Sequence, residues 1–161
     1  ITDDKSGSVL GYGRSIWALI DFTTRQPTDI LAVRDGDITE WINPDMACPI
    51  APPGRVKVTN EARLVASVST KYSDIDINGH VNSVKYIEHI LNELPLEIFR
   101  SHTIHRVEVS YSAECFYREN LSVYMDKKDD GHEYDVEIRK DNGEVACRAK
   151  IIFKLKVETE K

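Results

Sequence analysis

Apolar and polar positions divide the chain into three stretches of different character. In residues 9–22 the apolar side chains, Ile16, Trp17, Leu19 and Ile20 among them, make a strand-like run. Asp3-Asp4-Lys5-Ser6-Gly7 before it reads as a hairpin turn, and Gly11 and Gly13 within it mark a bulge or a close backbone approach. Thr23-Thr24-Arg25-Gln26-Pro27 closes this stretch. Residues 43–55 hold four of the six prolines. Proline fixes φ and removes a backbone donor, so this stretch reads as a semi-rigid linker, placed at residues 43–58, and not as a central strand or a helix interior.

Beyond residue 59 the pattern is cleaner. Residues 64–71 read as a strand. Val84, Ile87, Leu91 and Leu94, with Ile90 alongside, fall at helical spacing, which predicts a helix over 84–94 with those residues in the core and Pro95 stopping or kinking it. Four strands come after it. His105, Val107, Val109 and Tyr111 alternate with polar residues, residues 121–125 make a short strand, and Tyr134, Val136 and Ile138 alternate with charges. The last is long: Val145, Cys147, Ala149, Ile151, Phe153, Leu155 and Val157 share one face, with Arg148, Lys150, Lys154 and Lys156 mostly on the other. Asp129-Asp130-Gly131 and Asp141-Asn142-Gly143 mark turns between strands. Strand, helix and four antiparallel strands predict an α+β domain with one helix against a curved sheet. Several folds share that order.

Composition narrows the picture. With 161 residues there is room for one domain, or one and part of another, and a formal charge of -6 gives no global basic footprint for nucleic acid. The longest near-apolar stretch, residues 15–22, falls well short of the roughly 20 residues that span a bilayer, so no membrane partner is expected. Cys48, Cys115 and Cys147 have no metal-knuckle or redox spacing and fit a reducing compartment. His102 and His105, three apart on a strand, point to opposite faces and lack further ligands, so no metal is expected.

The densest chemistry lies between the first strand and the helix: Tyr72-Ser73-Asp74-Ile75-Asp76-Ile77-Asn78-Gly79-His80-Val81-Asn82. Gly79 permits unusual backbone angles, and either Asn78 or Asn82 is placed to cap the helix. A helix N-terminus offers N–H groups and partial positive charge to a developing oxyanion. Asp76 is suited to act as base or nucleophile, His80 to carry a proton, and Asn78 to orient or bind a carbonyl. An Asp/Asn/Gly-rich loop before a helix is, on composition alone, more often a cap and turn.

The run from Asp74 to Ile87, Asp-Ile-Asp-Ile-Asn-Gly-His-Val-Asn-Ser-Val-Lys-Tyr-Ile, closely resembles the D-x-D-x-N-x-H-V-N-N-x-x-Y-I signature of the acyl-acyl carrier protein (acyl-ACP) thioesterases of bacteria and plant plastids, with Ser83 where a second Asn is usual. Residues 13–21 with 24–27 resemble the closing strand of that family's first hotdog domain, and Val109-Ser110-Tyr111-Ser112-Ala113-Glu114-Cys115 resembles its Y-x-x-E-C segment. The resemblance implies two fused hotdog domains. Residues 1–42 would be the C-terminal hairpin of an incomplete N-terminal one, and residues 59–161 the C-terminal hotdog that carries the catalytic residues. It implies Asp76, Asn78, His80 and Glu114 as the catalytic group, with a preference for Asp76 and Glu114 as a carboxylate pair over Cys115 as nucleophile. It also implies hydrolysis of acyl-ACP without cofactor or metal, and a location in the bacterial cytoplasm or the plastid stroma. Acyl carrier protein would be the partner, met by a rim drawn from Lys71, Lys85, Arg100, Arg106 and Arg118, and a homodimer is an allowed assembly. A single-domain acyl-CoA thioesterase and a non-catalytic acyl-binding module are the alternatives.

Overall fold

The alternation at the C-terminal end of the chain becomes the interior of a sheet. The computed structural model describes residues 1–24, 26–42 and 47–156 and divides the chain into two units, Ile1–Pro53 and Gly54–Lys161. In the second unit the strands are β1 (Arg63–Ser69), β2 (His102–Tyr111), β3 (Asn120–Lys127), β4 (Glu133–Lys140) and β5 (Val145–Leu155). They pair antiparallel throughout in the order β1-β3-β4-β5-β2. Helix α1 (Ser83–Asn92) and a short α2 (Leu96–Ser101) lie between β1 and β2 in the chain. This is the expected hotdog arrangement, a helix held against one face of an antiparallel sheet.

Register explains which face is dry. Val109, Ala149, Val136 and Met125 lie opposite one another across β2, β5, β4 and β3. Successive side chains alternate faces, so Cys147, Ile151 and Phe153 join this side, and together with Ile138, Val123 and Leu121 they form the core beneath α1. Val157, assigned to the same face from sequence, lies outside the described residues, as do Arg25, Asn43, Pro44, Asp45 and Met46.

The neighbouring cross-strand row, Glu108, Lys150, Asp135 and Asp126, is on the opposite face. There the N–H of Gly54 donates to Glu108 at 2.8 Å and the N–H of Thr59 to Asp126 at 3.4 Å. The three strand spacings between those carboxylates come to about 14 Å, a distance that six extended residues cover. Residues 54–59 therefore strap this polar face from β2 to β3, and Val56 is buried. The buried carboxylates here are paired, as burial of charge demands: Asp135 with Lys128 (3.0 Å) and Lys150 (3.4 Å), Glu137 with Arg139 (2.5 Å) and Arg148 (2.6 Å).

Two expectations are corrected. Of the residues expected in the core, Ile90 and Leu94 are buried there with Tyr86, and half-buried Leu91 packs against them, whereas Val84 is 54% exposed and Ile87 is half-buried outside that cluster. The helix is apolar on two adjacent stripes, and the sheet takes the one that carries the Tyr86 ring. In the first unit, residues 9–22 do not form a strand. Among the described residues there are single bridges at Thr2–Val9 and Ile20–Pro27, and a ladder needs a continuous partner. The turn at residues 3–7 does form, with Asp3 accepting from the N–H groups of Lys5 and Ser6. Asp21 makes the same turn with Thr23 and Thr24. Two 3-10 segments come next, Ile30–Ala32 and Arg34–Trp41, the latter broken by left-handed Asp35 and Gly36.

The corrected helix face is testable by equilibrium denaturation. Ile90→Ala should cost about 2–5 kcal/mol through loss of burial and cavity formation, and Val84→Ala no more than about 0.5 kcal/mol. Equal costs would contradict the assignment.

Candidate active site

After β1 the chain makes a 3-10 turn, Tyr72–Asp74. Asp74 is buried there. One carboxylate oxygen accepts the Lys71 N–H at 2.6 Å, the other lies 3.6 Å from His89 Nε2 on α1, and its backbone carbonyl accepts the Asn82 N–H at 2.8 Å. The turn is thus tied by a hydrogen bond to Asn82, at the start of α1, and lies beside His89 within the helix.

Residues 75–81, between the turn and Asn82, form a closed loop. Ile75 and Val81 make an isolated antiparallel bridge, and between them the N–H of Asp76 donates to the His80 carbonyl at 2.8 Å. Asp76 Oδ1 accepts the N–H groups of Asn78 (2.8 Å) and His80 (3.2 Å). Gly79, at φ +83°, supplies the left-handed residue that turns the chain back. The loop is therefore built around the Asp76 carboxylate, one oxygen of which it occupies.

Of the two candidate caps, Asn82 is the one used. Its side chain accepts the Val84 N–H at 3.0 Å and its carbonyl the Lys85 N–H at 2.8 Å. Two N–H groups of the first helical turn are thereby taken within the helix, so an oxyanion at this end depends on those that remain, near Ser83, which lines the adjoining cleft.

The partner of this loop is the segment after β2. Val81 N–H donates to the Cys115 carbonyl at 2.8 Å. Glu114, next to Cys115, thereby comes opposite His80, next to Val81. Glu114 Oε2 is 3.6 Å from His80 Nε2, with side-chain exposures of 48% and 30%. That separation is longer than a direct hydrogen bond, as is common before substrate tightens a site. The His80 ring also meets the edge of Phe116, centroids 5.2 Å apart.

These groups share a cleft of about 250 Å³ lined by Asp76, His80, Val81, Asn82, Ser83, Tyr86, Tyr111, Ala113 and Glu114. Three of the four residues named from sequence therefore face one space. Asn78 does not line it; it is exposed on the loop midway between Asp76 and His80. Tyr86 and Tyr111, whose rings pair at 5.7 Å, were not singled out from sequence. Tyr111 donates its hydroxyl to the Ser83 carbonyl at 2.9 Å and so ties β2 to the start of α1. Tyr111 was visible in sequence in the strand alternation and in the Y-x-x-E-C segment, and Tyr86 as the Tyr of the Y-I pair that ends the signature run, but neither marked a place in the site. Burial pushes both phenols above the ordinary tyrosine range.

Of the basic residues considered for a rim, Lys85 pairs with Glu88 (2.7 Å) and Arg106 with Glu108 (2.5 Å), the latter on the strapped face. Arg118, in the segment that carries Glu114, stacks on Tyr117 at 5.1 Å. His102 lies against His132, ring centroids 4.6 Å apart, and His105 is exposed.

A family model of the acyl-ACP thioesterase C-terminal domain matches residues 58–155. A palmitoyl-acyl carrier protein thioesterase of Gossypium hirsutum chloroplasts is 30% identical over 118 residues, which is 71% of this chain and 29% of that protein. A dodecanoyl-[acyl-carrier-protein] hydrolase of Cinnamomum camphora is 28% identical over 118 residues, covering 71% and 31%. The chain thus spans about a third of the length of these relatives. Among solved structures, an acyl-ACP thioesterase of Bacteroides thetaiotaomicron superposes with a TM-score of 0.75 at 44% identity, over 84% of this chain and 53% of that one. A 12:0-ACP thioesterase of Umbellularia californica gives a TM-score of 0.71 at 21% identity, over 85% and 53%, a likeness of fold.

Cys115 is fully buried, and burial is the main cause that raises its thiol above the ordinary range. Cys147 is likewise buried and pushed up to about 12. A protonated, inaccessible thiol is a poor nucleophile. Alkylation of the folded protein should therefore modify exposed Cys48 quickly, and Cys115 and Cys147 only on unfolding, as read by peptide mass spectrometry. Rapid labelling of Cys115 in the folded state would contradict this placement.

Proposed function

The chain belongs to the acyl-ACP thioesterase family, and on that premise we propose that it is the catalytic C-terminal part of an enzyme that hydrolyses acyl-ACP and releases free fatty acid. The observation that carries the reading is the meeting of Asp76, His80 and Glu114 in one cleft at the start of α1. A thioester hydrolase needs a base for water, a group to hold that base, and donors for the oxyanion.

In this reading His80 takes a proton from water as the water oxygen bonds to the thioester carbonyl carbon. Glu114 stabilises the imidazolium. Asp76, fixed by the loop amides, orients the attacking water. Collapse of the tetrahedral intermediate breaks the carbon–sulfur bond, and the departing thiolate takes the proton back from His80. Asn78, which lies outside the cleft, enters this reading through its backbone N–H, which with that of His80 holds the Asp76 carboxylate. No metal or cofactor enters these steps.

Residues 1–42 belong to the end of a preceding hotdog domain in this reading. The superposition on the Bacteroides protein, which extends over 84% of the chain, supports this. Acyl carrier protein, an acidic partner, is met by basic residues beside the cleft, of which Arg118 is the nearest in sequence to Glu114. The 44% identity to a bacterial protein, against 30% to the cotton plastid enzyme, supports the bacterial cytoplasm as its setting.

The test is steady-state hydrolysis of acyl-ACP by the full-length protein. His80→Ala and Asp76→Ala should each lower kcat by about 10²–10⁴-fold with the unfolding midpoint little changed. Full activity in both would refute the assignment. On matched substrates acyl-ACP should give the higher kcat/KM than acyl-CoA; the reverse order would favour an acyl-CoA thioesterase.

A further inference from the structure

Glu114 sits in residues 112–119, a segment with no regular structure, so its position has to be imposed from outside. Lys140, the last residue of β4, does this most directly. Its ammonium donates to the Glu114 carbonyl at 3.2 Å, and also lies 3.4 Å from Glu119 Oε1, 3.5 Å from Glu144 Oε2 and 6.0 Å from the centre of the Phe116 ring. Glu119 passes the hold onward. Its other oxygen accepts the Phe116 N–H at 3.1 Å. Buried Thr70 completes the frame, its hydroxyl donating to the Phe116 carbonyl at 2.6 Å and accepting the Glu119 N–H at 3.0 Å.

One cation thus touches the peptide of the residue that faces His80 and, through Glu119, steadies the residue on whose ring His80 rests. The lysine side chain is only 16% exposed. Glu119 and Glu144 already supply charge partners, so the bond to the Glu114 carbonyl is not needed to neutralise it. That bond is the one directed at the cleft.

We propose that Lys140 is a positioning residue: it holds the Glu114 peptide so that the Glu114 carboxylate stays opposite His80. This rests on the reading of Glu114 and His80 as catalytic. Removing the ammonium frees the segment to shift, and a displacement of about 1 Å at a reacting group can cost about 10²-fold in rate. Residues that act through one another lose additivity when combined.

The experiment measures kcat and KM for acyl-ACP in the full-length protein carrying Lys140→Met, Lys140→Arg, Glu144→Gln, Glu114→Gln, and Lys140→Met combined with Glu114→Gln. Lys140→Met should lower kcat about ten- to a hundredfold with KM within about twofold. Lys140→Arg, which keeps a donor and a charge, should restore most of the loss, and Glu144→Gln should leave kcat unchanged. In the Glu114→Gln background Lys140→Met should have no further effect. Wild-type kcat in Lys140→Met beside an impaired Glu114→Gln would overturn this proposal alone, as would a loss of the same size in both backgrounds. Full activity in Glu114→Gln would overturn the catalytic reading and this proposal with it. If Lys140→Met does not fold, Glu119→Gln replaces it, with the same expected loss, absent in the Glu114→Gln background; an additive loss overturns the proposal.

Discussion

A single backbone hydrogen bond, from Val81 N–H to the Cys115 carbonyl, is the constraint on which the cleft depends. Both residues are buried, and each is the immediate chain neighbour of a group that faces the cleft, His80 on one side and Glu114 on the other. The net worth of such a bond is only about 0.5–1.5 kcal/mol, but leaving its buried partners unsatisfied costs more, about 1–3 kcal/mol. The loop before α1 and the segment after β2 are therefore locked in one register, and an imidazole and a carboxylate 34 positions apart in sequence (114 minus 80) face each other.

The rest of the unit makes that bond dependable. Pairing with β5 fixes β2, which ends just before the Glu114 segment. Tyr86, Ile90 and Leu94 fasten α1 and the residue after it to the dry face, so the helix start cannot drift from the sheet. Tyr111 clips β2 to Ser83, and the Asp74 carbonyl ties the turn before the loop to Asn82, the N-cap of α1. On the other face, buried Asp135 and Glu137 are charge-paired, and the strap of residues 54–59 caps Glu108 and Asp126 without intruding on the core.

How much of this was legible depends on which interactions leave a mark in side-chain order. The sheet did, because β3, β4 and β5 alternate over most of their length, and a half-buried strand has a period of two. Asp76, His80 and Glu114 were legible as a set only through two segments that resemble a known family; loop closure around the Asp76 carboxylate accounts for the spacing from Asp76 to His80, and nothing in side-chain order alone pointed to Glu114. The helix face was read in part, correctly at Ile90 and Leu94 and wrongly at Val84 and Ile87, because two neighbouring stripes are both apolar and periodicity cannot say which the sheet takes. Residues 9–22 were misread as a strand because apolar content shows a capacity to pair but does not supply a partner. Lys140 and the strap were invisible for a different reason. Their contacts run to or from backbone atoms, the Glu114 carbonyl and the Gly54 and Thr59 N–H groups, which every residue carries alike.

The most direct measurement is a crystal structure of the full-length protein with an unreactive acyl-pantetheine analogue in which sulfur is replaced. The expected result is the analogue's carbonyl carbon within about 3–4 Å of a water or side-chain atom held by His80 and Asp76, with Glu114 on the imidazole and Val81 still bonded to Cys115. An acyl carbonyl seated away from the start of α1, or His80 and Glu114 turned apart in the complex, would contradict it.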